Sequence, residues 1–368
     1  VIRLVYSNRA EELLEALLER LDDERRRAES PLQPSHVIVP GRLVETAVKL
    51  RLARARGLAG PLETRSLRRF LVEVAEASSP EVAVVEAQQL AGLVLGALSD
   101  DDWVRSSPVL GPVAAYLDEG RSEGADDDAR AVRRVQLATE LGTLFAEYGL
   151  SRPELIEAWR RGRSPTMPAG YAEAAAWQRL LFARAMEARF ADGRRPMLLV
   201  EALAGADAPT RLALPPSLHL VLPPPLPRGL HRVLARLAAE SALHVYALNP
   251  CLEFWEDVDG RRRPTEAQLE GDDPFGLGPE ASVGDSPILR AWGRPGRETI
   301  RLLDALSECD FQARFAEPAG PTLLEAVQRD VLTRAPERRA PAGPAPDGTI
   351  TVTGCPSVRR ELERIAAE

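Results

Sequence analysis

The 368-residue chain is poor in lysine, cysteine and histidine, and each shortage closes off a class of function. Lys49 is the only lysine among 47 basic residues, so chemistry that needs an ammonium group has one candidate. Cys251, Cys309 and Cys355 are odd in number and far apart. That argues against a disulfide framework, a CxxC zinc site and a four-cysteine iron–sulfur cluster. The four histidines, His36, His219, His231 and His244, do not fall at metal-ligand spacing. His219 and His244 sit in apolar runs and read as packed structural residues, while His231 opens a helix and reads as a surface residue. No apolar run approaches the roughly 20 residues of a membrane span. The start VIRLVY lacks the basic-then-apolar order of a secretory signal, so a cytoplasmic protein is expected. There is no Gly-x-Ser-x-Gly elbow and no Cys/His pairing. Ala47, not a carboxylate, stands two residues before Lys49, so the acid-x-Lys motif of restriction-type nucleases is absent as well.

What is present reads as an ordinary soluble chain of two or three domains. The net charge of −8 argues against a simple DNA-coating protein, which is usually basic, so any DNA path has to be a local positive groove or tunnel. Val1–Tyr6 reads as a strand, Ser7 or Asn8 as a cap, and Leu13, Leu14, Leu17, Leu18 and Leu21 as the apolar stripe of a helix. Val37–Val39 reads as a second strand ending at Pro40-Gly41, followed by a helix with Val44, Val48 and Leu52 on one face that closes at Gly57. This β-α-β-α start predicts a parallel sheet. From Ser66 to Phe190 the pattern predicts helices only, around 66–77, 82–98, 108–119, 129–149, 152–161 and 171–190. Strands return at 218–222 and 243–247 around a helix at 230–239, and helices are expected at 286–308 and 322–333. A Pro/Ala/Gly-rich linker leads to a last strand, Thr349–Thr353, and a final helix. The pattern divides the chain into an α/β domain formed by residues 1–75 and 196–335, a helical insertion at 76–195 that splits it, and a stretch at 336–368 that is linker and the opening of another domain.

ATP hydrolysis needs a glycine-rich loop with Lys and Ser/Thr between the first strand and helix. Here that stretch is Ser7-Asn8-Arg9-Ala10-Glu11-Glu12, with no glycine, no lysine and two carboxylates where phosphate would sit. A motor also needs a magnesium-holding carboxylate pair at a strand end. After Leu222 the chain instead reads Pro223-Pro224-Pro225. No cofactor, metal or catalytic residue is expected. What remains is binding. Gly41-Arg42 opens a helix whose free N–H groups and added charge suit phosphate. Arg65, Arg68 and Arg69 flank the next helix start on one face. Trp255, Trp292 and the loop Gly293–Arg297 read better as packing and turn than as base or phosphate contacts.

VYSNR at 5–9, HVIVPGR at 36–42, NPCLEFWEDV at 249–258, SPILRAWGRPGRE at 286–298, LLEAVQRDVL at 323–332 and ITVTGCPSVRRELE at 350–363 resemble blocks of the RecC family, in that family's order. The helical middle matches chiefly at Leu144-Phe145, Tyr148, Arg152-Pro153 and Trp177. The resemblance implies an inactivated superfamily-1 helicase-like (RecA-like) parallel-sheet domain with a large helical insertion, and then the start of a second such domain. It implies a non-catalytic subunit of exodeoxyribonuclease V that guides and scans single-stranded DNA for a Chi-like sequence. The implied partners are a RecB-like helicase–nuclease subunit, a RecD-like helicase subunit, single-stranded DNA and duplex ends. The family's scanning positions fall on Gly41, Arg42 and Thr46, on Thr143, Leu144, Ala146 and Glu147, and on Arg152; of these, Leu144 and Arg152 keep the family pattern. The alternatives are a protein–protein scaffold without DNA contact and an ATP-driven helicase, which the missing phosphate loop disfavours.

Overall fold

The computed structural model describes residues 2–30, 32–57, 60–118, 127–165, 170–223, 225–253, 255, 288–289, 293–308, 310–334 and 346–367. In chain order the elements are β1 (Ile2–Ser7), α1 (Ala10–Arg27), β2 (Ser35–Ile38), α2 (Arg42–Arg56), β3 (Leu62–Arg65), α3 (Leu67–Ser78), β4 (Val82–Val84), α4 (Ala87–Leu98) and α5 (Asp101–Ser106). A 3-10 turn (Pro108–Leu110) leads to α6 (Gly111–Asp118), α7 (Asp127–Ser151), α8 (Pro153–Arg160), α9 (Ala172–Met186), β5 (Arg195–Met197), α10 (Leu199–Ala204), β6 (Ser217–Val221), α11 (Arg228–Glu240) and β7 (Ala242–Leu248). The last elements are α12 (Arg294–Ser307), β8 (Phe311–Ala313), α13 (Leu323–Leu332) and α14 (Val358–Ala367). Two compact units result, one of Val1–Leu4, Leu17–Tyr246 and Ala305–Asp310, the other of Val5–Ala16, Ala247–Asp304 and Phe311–Glu368.

The fold is mixed α/β, with a parallel sheet and helical insertions. In the first unit the strands lie in the order β3-β2-β6-β7, and each adjacent pair is parallel. Parallel strands are buried on both faces, which is why β6 and β7 read as continuous apolar runs rather than alternating ones. The register pairs Ile38 with Arg65 and with Leu220, so the carboxyl ends of β3, β2 and β6 lie side by side. Gly57, at φ 76°, closes α2 in the left-handed conformation expected of a glycine at a helix end.

Several short elements differ from expectation. Residues 82–84 were expected to begin a helix; they form β4, paired in parallel with β5, and α4 starts only at Ala87. Three β-branched or small residues are too few to show a period, and their partner lies more than a hundred residues along the chain. The stretch from Ser66 to Phe190 therefore holds a strand where helices alone were expected. β3, β8, α5 and α10 were not anticipated. Thr349–Thr353, expected as a strand, is irregular, because a β-branched run without a ladder partner is not a strand. His231, expected on the surface, is half-buried. Trp255 is packed as expected, buried with its Nε1 donating to Asn249 Oδ1 at 2.9 Å. Cys309 and Trp292 lie outside the described residues. No helix among the described residues is long and apolar enough to cross a membrane.

The helices between β4 and β5 enclose a core built on Leu90, Val94, Leu141, Phe145, Trp159, Leu181 and Phe182. Phe145, Trp159 and Phe182 meet at centroid distances of 5.3 to 6.0 Å, edge-on or tilted. α7 lies against α4 at Gly142, where a Cβ would fall 2.6 Å from the Ala87 carbonyl oxygen.

A polar cluster is buried in the first unit. His219 Nε2 lies 2.9 Å from Glu24 Oε2, its Nδ1 lies 3.2 Å from the Tyr246 hydroxyl, and Ser217 Oγ donates to Glu24 Oε1 at 2.7 Å. His244 stacks on His219 at 5.0 Å. Burial opposes ionisation of Glu24, but the His219 hydrogen bond, the His219 charge and Ser217 outweigh it and hold the carboxyl down to about 2. Burial, with the charges of His219 and Arg20, pushes His244 down to about 3. Both shifts have the same sign for stability. Below pH 6.5 the unfolded chain protonates His244 while the folded chain does not, so folding weakens as pH falls from 6.5 toward 3. Below 4.5 Glu24 adds a further loss, which runs down to about 2. His36, lowered mainly by burial, adds to the same trend. Denaturation between pH 6.5 and 4.5 should therefore show falling stability. His244→Phe should flatten that slope by up to about 1.4 kcal/mol per pH unit, the value of one proton. An unchanged slope would mean that His244 titrates normally in the fold.

Candidate nucleic-acid interface

Gly41 and Arg42 form the β2–α2 turn at the carboxyl edge of the sheet, where ligands bind in open α/β folds. Gly41 is exposed and extended, and a Cβ on it would meet nothing within 4 Å, so glycine here leaves space above the helix start rather than relieving strain. No side chain caps α2. Glu45 is the acidic residue of its first turn; hydrogen bonds from Lys49 and Thr64, with the charge of Arg42, hold its carboxyl below the usual range. The chain's single lysine is thus tied to Glu45.

Arg65, at the end of β3, lies beside this turn: Val39 N donates to the Arg65 carbonyl at 2.9 Å, and Thr64 Oγ1 donates to Glu45 at 2.7 Å. Ser66 caps α3 by accepting from Arg69 N. The structure therefore brings Gly41, Arg42, Arg65, Arg68 and Arg69 to one edge, but with carboxylates among them. Arg65 pairs with Glu63 at 2.8 Å and with Glu73 at 2.6 Å, and Glu63 foremost raises its pKa. Arg69 shares Glu73 at 2.8 Å, and Arg68 pairs with Glu86. Among the described residues Arg42 has no ion pair within 4.0 Å.

Leu144 is half-buried and packs against the insertion core. Further along, Arg152 is exposed at the N-cap of α8, ahead of Pro153. Its guanidinium lies 5.8 Å from the centre of the Tyr148 ring, which in turn meets Trp159 edge-on at 5.9 Å. Arg152 likewise has no ion pair among the described residues. Among the described residues no hydrogen bond or ring contact joins Leu144 or Arg152 to the sheet-edge arginines. The carboxylates of Glu45, Glu63, Glu73 and Glu86 were missed in the sequence. Two were legible: Glu45 stands four residues before Lys49, and Glu73 four after Arg69. Glu63, two residues before Arg65, shares its face of β3 once that strand is recognised, whereas Glu86 meets Arg68 only through the fold.

At the β1–α1 junction, in the second unit, Ser7 is buried and its Oγ accepts from Arg9 N at 3.0 Å. Asn8 makes a two-way pair with the Ala316 backbone, Nδ2 donating to its carbonyl and Oδ1 accepting from its N–H, both at 2.9 Å. The segment around 316 thus holds the Asn8 side chain of this turn by both ends of its amide. Among the described residues no group of three or more His, Cys, Asp or Glu is placed to hold a metal.

Residues 2–334 match the family described as RecC, N-terminal domain. Similar proteins are the RecBCD enzyme subunit RecC of Mycolicibacterium smegmatis, 26% identical over 350 residues, which cover 90% of this chain and 28% of that one, and that of Escherichia coli K12, 25% identical over 405 residues, covering 99% and 34%. The subunit of Haemophilus influenzae is 21% identical over 411 residues, covering 97% and 35%. The chain spans about a third of the length of these relatives.

Proposed function

This chain belongs to the RecC family, and from that premise we propose that it is the DNA-guiding and scaffolding part of a RecBCD-type helicase–nuclease acting in double-strand break repair and recombination. In this reading it works beside a RecB-like and a RecD-like subunit, has no catalysis of its own, and lines the path of a single strand scanned for a Chi-like sequence. The observation that carries it is the pair of arginines without ion pairs among the described residues: Arg42 at an uncapped helix start, and Arg152 laid on Tyr148. A guanidinium held on an aromatic ring is pre-organised, and helix N–H groups add to the charge of Arg42 at a phosphate. Gly41 and Leu144 give the strand a close approach and an apolar wall. Arg65, Arg68 and Arg69 contribute only by exchanging a carboxylate for a phosphate, and their present pairing favours scaffolding as the second reading.

The turn at Ser7–Arg9, without glycine or lysine and closed by Asn8 on Ala316, supports the loss of nucleotide binding. If Arg42 and Arg152 contact phosphates, they position the strand without reading it. Arg42→Ala and Arg152→Ala, tested by fluorescence anisotropy on oligonucleotides of varied sequence, should each weaken binding by a similar factor for every sequence. A loss confined to some sequences would make that arginine a base reader; affinities equal to the parent's would favour the scaffold.

A further inference from the structure

In the second unit, α13 is capped twice, and the second cap comes from far along the chain. Its own capping box is complete. Thr322 Oγ1 accepts from Glu325 N at 3.2 Å, and Glu325 Oε2 accepts from Thr322 N at 3.3 Å. Ala326 N donates to the Thr322 carbonyl at 3.0 Å. The two N–H groups that remain, those of Leu323 and Leu324, are ones a helix ordinarily turns to water. Here Leu323 N donates to Asp347 Oδ2 at 2.8 Å and Leu324 N to Thr349 Oγ1 at 3.1 Å, across 24 and 25 residues. The two acceptors are themselves joined: Thr349 N and Thr349 Oγ1 both donate to Asp347 Oδ1, at 2.9 and 2.5 Å. A relay therefore runs from the Leu324 N–H through the Thr349 hydroxyl to the Asp347 carboxylate. The Thr349 hydroxyl, with the Leu323 and Thr349 N–H groups, holds that carboxyl below its usual range, and its charge lies at the positive end of the helix. Gly348, at φ 79°, makes the left-handed turn between the two side chains. A Cβ on it would meet nothing within 4 Å, so glycine is needed there for conformation and not for space.

We propose that Asp347-Gly348-Thr349 is a latch that clamps the far end of the Pro/Ala/Gly-rich linker to the start of α13. The helix already has its own box, so a second set of acceptors adds little to it as a cap. What the latch changes is the linker. A tether becomes a closed loop, and the chain from Ile350 onward leaves the second unit from a fixed point. Closure entropy rises only slowly with loop length, so a long linker is little obstacle to such a clamp. Beyond the latch, α14 has no buried residue, so hydrogen bonding and not packing sets where this stretch begins. The proposal is independent of the DNA path, which uses other residues.

The test uses the full chain, with spin labels on non-cysteine handles at Gln328 on α13 and at Thr351, both exposed and outside the latch. Double electron–electron resonance should give one narrow distance in the parent and a broad distribution in Asp347→Ala/Thr349→Val. Gly348→Val, strained at its positive φ, should broaden it too. Replacing residues 336–345 by a Gly/Ser sequence of equal length should leave the distance narrow. Hydrogen exchange separates a latch from a mere cap. In the double variant the Leu323 and Leu324 amides should exchange about tenfold faster, while Glu325, still held by Thr322, keeps its rate. A broad distribution in the parent, a narrow one in the double variant, or broadening by the Gly/Ser replacement alone overturns the proposal. Equal loss of protection at Glu325 overturns it as well, since the pair then serves only the helix.

Discussion

Gly142→Leu should destabilise the chain by at least about 3 kcal/mol in chemical denaturation, and Gly142→Ala should destabilise it where a helical glycine-to-alanine change normally helps. Two effects compete at this position. Alanine gains about 1 kcal/mol over glycine inside a helix. Against that, the new Cβ would stand 2.6 Å from the Ala87 carbonyl oxygen and from Ala91 N, both backbone atoms of α4 that cannot swing aside. The helices must part, and the contacts of Leu90 and Val94 with Leu141 and Phe145 loosen together. Overpacking of this kind is unfavourable by about 1–3 kcal/mol for small additions and more for large ones, so it wins. Gly96, on an exposed part of α4 where a Cβ meets nothing within 4 Å, is the internal control. Gly96→Ala should stabilise by up to about 1 kcal/mol. If both alanine variants respond alike, α7 is not seated on α4 through Gly142.

Trp159→Ala should be the most damaging truncation in the helical insertion, by about 3–5 kcal/mol. The ring is 2% exposed and touches Phe145, Phe182 and Tyr148 at 5.6 to 6.0 Å. Trp159→Phe should be far milder, under about 1.5 kcal/mol. The indole Nε1 is buried without a hydrogen-bond partner, so the smaller ring loses volume but also removes an unsatisfied donor. Trp159 also holds Tyr148, the ring beneath Arg152, so the alanine variant should weaken DNA binding even where it remains folded. Equal destabilisation by Phe and Ala would mean that the indole N–H is satisfied after all.

The long periodic segments were legible, because each carries its own signal. The leucine stripe of α1, the 137–148 stripe of α7 and the apolar runs of β6 and β7 state their period and burial directly. The short elements were not. β3, β4, β5 and β8 have three or four residues each, and their pairing partners are remote, so only tertiary contact makes them strands. The same division holds at the candidate interface. Arg68 and Arg69 lie in the first turn of α3, but Arg65, expected on the same helix face, ends β3 before the helix begins. Glu63 reaches Arg65 from two residues away on the same face of β3, whereas Glu86 reaches Arg68 only because the start of α4 comes to lie beside α3, and no spacing encodes that.

The central claim, that Arg42 and Arg152 hold phosphates of a single strand, is tested most directly by the salt dependence of oligothymidylate binding. Each phosphate contact contributes about 0.7 to the slope of log affinity against log salt for a single strand. Arg42→Ala/Arg152→Ala should therefore lower the slope by about 1.4 relative to the parent. A slope and an affinity identical to the parent's, from low to moderate salt, would contradict the account and leave both arginines as surface residues of a scaffold.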